Sequence, residues 1–134
     1  MKTDYQVLIV DDDESIRRML SAVLSREGFQ TVTAKDGEEG LALFRSTSPD
    51  IVLMDIRMPG LSGIEVIELL QHKKCSTHFI ISTAYSDFGY IKKALDLKTD
   101  GYLVKPSKRE EKLEVIGKLC RTVEEEKKIN LRQD

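Results

Sequence analysis

No run of apolar residues in this 134-residue sequence approaches the roughly 20 that a helix needs to cross a bilayer, so a membrane role is not expected. The first apolar run begins within a few residues of Met1 and stops at three carboxylates, which is not the plan of a secretory leader. A basic excess is missing too: 21 Lys and Arg face 23 Asp and Glu, for a formal net charge of −2. With no Lys/Arg-rich block, direct binding of nucleic acid by this chain is not expected. Cys75 and Cys120 lie far apart, with neither a CxxC pair nor a His/Cys spacing suited to zinc, and read as two reduced thiols. Together these absences point to the cytoplasm. Internal repeats and low-complexity linkers are also lacking over the first 122 or so residues.

What remains is an ordinary globular balance, 40% hydrophobic and 33% charged, in a chain long enough for one core and hardly for two. The runs Val7 to Val10, Ile51 to Met54 and Phe79 to Ile81 are short, continuous and rich in β-branched residues, as strands covered on both faces tend to be. Phe29 to Ala34 and Gly101 to Val104 complete a set of five strands. Amphipathic spacing between them predicts helices. The first runs from about Glu14 to Glu27, with Ile16, Met19, Leu20, Val23 and Leu24 inward and Gly28 ending it. A second follows Asp36-Gly37, with Leu41 and Phe44 inward. A third follows Ser62, which forms a capping box with Glu65 and turns Ile64, Ile67 and Leu70 inward. The fourth is expected over Asp87 to Leu97. A fifth starts at Ser107 with a stripe of Leu113, Ile116, Leu119 and Val123. Strict alternation with right-handed crossovers makes this a doubly wound α/β domain with helices on both faces of a parallel sheet. From Glu124 the sequence turns to Glu-Glu-Glu-Lys-Lys and the stripe fails, so residues 123–134 read as a charged helical extension or linker beyond a domain of residues 1–122.

Open α/β sheets build their sites beyond the carboxyl ends of the strands, and the chemically informative residues fall there. Strand one runs into Asp11-Asp12-Asp13, strand three ends at Asp55, strand four reaches Thr83 and strand five reaches Lys105-Pro106. Singly, each has a dull explanation: helix caps, turns, a solvated lysine. Their coincidence at one edge is harder to dismiss. Converging carboxylates repel unless a cation sits among them, and oxygen ligands without His or Cys favour magnesium. With that charge offset, Asp55 is a candidate nucleophile toward phosphorus, while Lys105 and Thr83 supply an ammonium and a hydroxyl to the phosphoryl oxygens.

These residues resemble the receiver domain of two-component response regulators, the CheY-like family, from about Tyr5 to Leu119. The resemblance is carried by Val7-Leu8-Ile9-Val10-Asp11-Asp12-Asp13-Glu14 and by Ile51-Val52-Leu53-Met54-Asp55-Ile56-Arg57-Met58-Pro59-Gly60 with Gly63 following. Ser82-Thr83-Ala84 and Gly101-Tyr102-Leu103-Val104-Lys105-Pro106 complete it. It implies a flavodoxin-like sheet of order 2-1-3-4-5 and an autocatalytic phosphoacceptor that is no turnover enzyme. Asp55 would take the phosphoryl group. Asp12 would bind Mg2+ directly and Asp11 through water, with the backbone carbonyl of Arg57 as a further ligand and Mn2+ as a substitute ion. Thr83 would be the switch hydroxyl, Tyr102 the switch aromatic and Lys105 a phosphoryl contact, whereas Asp13 and Glu14 would cap the first helix. The donor implied is a phosphohistidine on a sensor kinase or phosphotransfer protein. The response would be a changed surface of the fourth helix, fifth strand and fifth helix, read by a downstream protein or a covalently linked output domain. Either a monomer or a phosphorylation-dependent dimer is compatible with it.

The chain departs from the family pattern in three respects. Lys98-Thr99 stands where Gly-Ala is common, and Ser107 where an aromatic residue is frequent. Arg57 and Tyr85, two residues beyond the acceptor and the switch threonine, are bulky enough to hinder hydrolytic water and predict slow loss of phosphate. One rival class, the haloacid dehalogenase type of aspartyl-phosphatase, needs a second Asp two residues after the nucleophile, where this chain has Arg57. Another, an interaction module that ignores phosphate, sits poorly with a complete set of acceptor-site residues.

Overall fold

The computed structural model describes residues 5–56, 58–71, 77–84, 92, 96, 99–105, 110–111, 113–118, 121 and 125; for residues 83–84 and 104–105 it describes the backbone alone. Five strands, β1 (Gln6–Val10), β2 (Gln30–Ala34), β3 (Ile51–Asp55), β4 (His78–Ala84) and β5 (Gly101–Lys105), form one parallel sheet in the order β2-β1-β3-β4-β5. Three helices lie whole within the described residues: α1 (Glu14–Arg26), α2 (Gly37–Thr47) and α3 (Gly63–Gln71). Residues 113–118 are also helical. The expected fourth helix and the ends of the fifth fall almost wholly outside the described residues.

The two-residue period of the strands divides the core into two layers. Val7, Ile9, Ile51, Leu53, Ile80 and Leu103 face one way and meet Leu20 and Leu24 of α1 and Ile116 of the C-terminal helical segment. Leu8, Val10, Val52, Met54, Phe79 and Ile81 face the other way and meet Phe44 of α2 and Ile64, Ile67 and Leu70 of α3. Burial on both faces is what demands the continuous apolar runs seen in β1 and β3.

Local signals set the helix ends. Asp13 caps α1, its carboxylate accepting the N–H groups of Ser15 at 2.8 Å and Ile16 at 3.2 Å. At the other end Gly28, at φ 95°, reverses the chain; its N–H donates to Ser25 and that of Phe29 to Leu24, the pair of bonds that defines a Schellman cap. The capping box of α3 is reciprocal, Glu65 N–H to Ser62 Oγ at 3.2 Å and Ser62 N–H to Glu65 Oε1 at 3.3 Å. Met19 departs from expectation, being 44% exposed. At about 100° per residue it sits beyond the edge of the stripe centred on Leu20 and Leu24, so the sheet is already covered without it.

Register is pinned at the amino ends of the strands. The N–H of Gln6 donates to Asp50 Oδ2 at 3.0 Å and that of Phe79 to Asp100 Oδ2 at 2.9 Å, just before β3 and β5. A slip of one residue would exchange the two faces of a strand. These clasps therefore also fix which residues emerge at the far, carboxyl edge.

Candidate functional site

At that edge β1 and β3 are neighbours, and each delivers a carboxylate. Asp11 follows the last residue of β1, and its N–H still pairs with the Ala34 carbonyl of β2 at 3.1 Å, so it stands where the strand gives way to the loop. Its Oδ1 accepts the N–H of Asp13 at 2.9 Å, bending the chain toward α1. Its carbonyl accepts Arg17 Nη1 at 2.7 Å. Asp55 is the last residue of β3, flanked by β1 on one side and β4 on the other, with Ser82 opposite it. Beyond it, Ile56 N–H donates to the Ser82 carbonyl at 3.1 Å and Gly63 N–H to the Ile56 carbonyl at 2.9 Å, which draws the start of α3 back against the strand end. Gly63 is required there. A Cβ on it would run into the Asp55 carbonyl oxygen and come within 2.8 Å of Met54 Cγ.

Asp11 and Asp55 are buried, Asp12 is exposed, and one carboxylate oxygen from each lies within 4.8 Å of the others. Like charges brought so close, two of them in a protein interior, repel strongly. A hard divalent cation would answer that charge. Octahedral magnesium, with metal–oxygen distances of about 2.1 Å, sets ligand oxygens about 3 to 4 Å apart, so the three carboxylates fit it with small contraction or with a water standing in for one arm. An all-oxygen set with no His or Cys suits magnesium or manganese and not zinc.

The remaining expected residues divide in two. Thr83 and Lys105 end up on neighbouring strands at the same carboxyl edge, Thr83 opposite Val104 and Ala84 opposite Lys105 in the register of β4 and β5. Tyr102 lies two residues into β5 and is 54% exposed. Arg57, Tyr85, Lys98, Pro106 and Ser107 lie outside the described residues. Asp13 takes the capping role expected of it, while Glu14 opens α1 and pairs with Arg18 at 2.8 Å on the surface. Sequence reasoning passed over Arg17. It reads as one more polar position on an amphipathic helix, and its one signal, a cation about one turn after the acidic run, becomes visible only with the helix in place.

A sheet of this order with an acidic triad at the carboxyl edge of its inner strands defines a class. The family model for the response regulator receiver domain matches residues 7–117, and the chain belongs to that family. Asp11, Asp12 and Asp55 are accordingly the acidic triad of the phosphorylation site of two-component systems, and a receiver domain is not a turnover enzyme. Among its relatives is the regulatory protein AtoC of Escherichia coli, 40% identical over 101 residues that make up 75% of this chain and 22% of that one. The transcriptional regulatory protein HptR of Staphylococcus aureus is 34% identical over 129 residues, 94% of this chain and 50% of that one. The chain thus spans half or less of the length of these relatives. Among solved structures, chemotaxis protein CheY4 of Vibrio cholerae superposes with a TM-score of 0.81 at 28% identity, covering 87% of this chain and 99% of that one. A receiver domain protein from Clostridium thermocellum gives 0.83 at 25% identity, over 90% of this chain and 97% of the other. Among the described residues no helix is long and apolar enough to cross a membrane.

Proposed function

We propose that this chain accepts a phosphoryl group on Asp55 from a phosphohistidine of a sensor histidine kinase or histidine phosphotransfer protein, and that the modification resets the surface around β5. The observation that carries the reading is the convergence of the Asp11, Asp12 and Asp55 carboxylates within 4.8 Å at the carboxyl edge of β1 and β3. In this reaction an oxygen of the Asp55 carboxylate attacks phosphorus, the bond from phosphorus to the donor imidazole nitrogen breaks, and that nitrogen takes up a proton. Asp12 directly, Asp11 through water, Asp55 and the backbone carbonyl of Arg57 are the groups that would hold Mg2+, or Mn2+ in its place. When bound, the ion offsets the repulsion between these carboxylates and the incoming phosphoryl group. Lys105 places an ammonium and Thr83 a hydroxyl on the phosphoryl oxygens.

Two added charges beside Thr83 draw its hydroxyl toward the phosphate, and Tyr102 moves into the space vacated. The half-exposed Tyr102 side chain favours this, since it stands where an outward position of the switch would leave it. The output is a two-state equilibrium biased by phosphate, presented by the fourth helix, β5 and the fifth helix to a downstream protein or a linked output domain. We assign the receiver to residues 1–122 and a charged extension or linker to 123–134, place the chain in the cytoplasm, and expect a monomer that dimerises, if at all, upon phosphorylation.

The test is intact mass after incubation with acetyl phosphate and Mg2+. A gain of one phosphoryl group, absent in Asp55→Asn, is the expected result. No gain with acetyl phosphate or with any phosphohistidine donor would leave the chain an interaction module that does not use phosphate, and repeated turnover of a phosphate ester would make it a phosphatase.

A further inference from the structure

We infer that Arg17 is a positioning residue for the cation site: through the carbonyl of Asp11 it holds the loop that presents Asp11 and Asp12. Three hydrogen bonds of Asp11 help to tie the loop between β1 and α1. Asp11 N–H binds the Ala34 carbonyl, Asp11 Oδ1 binds the Asp13 N–H, and Asp11 O binds Arg17 Nη1 at 2.7 Å, the shortest of the three. The first two belong to the loop and the sheet. The third comes from the helix, one turn into α1, and bolts the loop to an element whose own start is fixed by the Asp13 cap.

The choice of acceptor is the informative part. Arg17 is half-buried beside a cluster of carboxylates, yet among the described residues its guanidinium makes no ion pair and donates instead to a main-chain oxygen. Its charge is therefore not spent on neutralising Asp11, whose Oδ1 is already engaged by the Asp13 N–H. Arg17 thus acts on Asp11 through its main chain, adding a tie from α1 to those made by Ala34 and Asp13. Charge-assisted bonds of this kind are shorter and stronger than neutral ones, and groups that orient metal ligands from behind typically control affinity by about 10- to 100-fold. Because Arg17 is partly solvated, the lower end of that range applies.

This role and plain electrostatics predict opposite signs. A cation near a divalent metal site weakens binding by repulsion, so deleting a charge that did nothing else would tighten Mg2+ binding. Deleting a positioning bond loosens it. The inference rests on Asp11, Asp12 and Asp55 forming an Mg2+ site, and the experiment separates the two: calorimetric titration of the whole chain with MgCl2 alone, first for the native protein. Failure of the native chain to bind Mg2+ overturns the site itself, and this inference with it.

Given native binding, Arg17→Gln should raise the Mg2+ Kd about tenfold, with Arg17→Lys, which keeps the charge and one donor but not the fork, falling between. Arg18→Gln is the control, the same charge change one residue away in the exposed pair with Glu14, and should leave the Kd within about twofold of native. An Arg17→Gln Kd equal to or below the native value overturns the inference while leaving the metal site standing. So does an equal rise in Arg18→Gln. Should Arg17→Gln fail to give a native thermal transition, Arg17→Lys decides alone, and a native Kd there refutes the positioning role.

Discussion

Replacing Gly63 by alanine should damage both stability and phosphorylation, although alanine is the better helix former. Gly63 opens α3, and a Cβ there would meet the Asp55 carbonyl oxygen well inside contact distance, with Met54 Cγ at 2.8 Å. Backbone cannot swing aside as the end of a flexible side chain can. Relief requires α3 to withdraw from β3, stretching the 2.9 Å bond from Gly63 N–H to the Ile56 carbonyl and disturbing Ile64 and Ile67 in the layer beneath. Overpacking of this kind costs about 1–3 kcal/mol, and immobile backbone puts it near the top of that range. Helix propensity returns at most about 1 kcal/mol. The net loss is about 2 kcal/mol, which for a domain of this size lowers Tm by about 6–8 °C. A thermal melt reads the first effect, and the rate of mass gain with acetyl phosphate reads the second, because the atom displaced is the carbonyl of the acceptor itself. Gly117 supplies the contrast. It lies in the C-terminal helical segment with nothing within 4 Å of a Cβ, so Gly117→Ala should stabilise by about 0.5–1 kcal/mol. Gly63→Ala with an unchanged or raised Tm and a native phosphorylation rate would refute the reasoning.

Asp13→Ala removes the acceptor for two N–H groups at the start of α1 and should cost about 1 kcal/mol in urea denaturation with an unchanged m-value; no loss would mean that solvent satisfies those donors equally well. Small residues together at Arg57 and Tyr85 should shorten the lifetime of the aspartyl phosphate, followed as decay of the phosphorylated mass after donor removal. An unchanged lifetime would show that neither side chain restrains the attacking water.

Much of this molecule was readable along the chain because its signals are local or periodic. Continuous β-branched runs marked the inner strands, since a strand covered on both faces has no solvent side to record. Gly28, the Asp36-Gly37 start of α2 and the Ser62/Glu65 box marked helix ends through backbone chemistry that needs no distant partner. Met19 was misplaced for the same reason. Periodicity gives the direction of a helical stripe but not the width of the surface that meets it, and α1 needs only Leu20 and Leu24 fully buried.

By itself the sequence determined the alternation of strands and helices, their order in the sheet once the family resemblance was admitted, and the chemical types gathered at one edge, because each depends on residues close together or on a rule of connection. Tertiary structure alone decided how near the carboxylates come. Asp11 and Asp55 are 44 residues apart in the chain, and their meeting follows from the register of β1 against β3, pinned at the opposite end by Asp50. It also decided the cost of a side chain at Gly63 and the use to which Arg17 is put. Those are matters of what occupies the adjoining ångströms, which no pattern along the chain records until packing has chosen the neighbours.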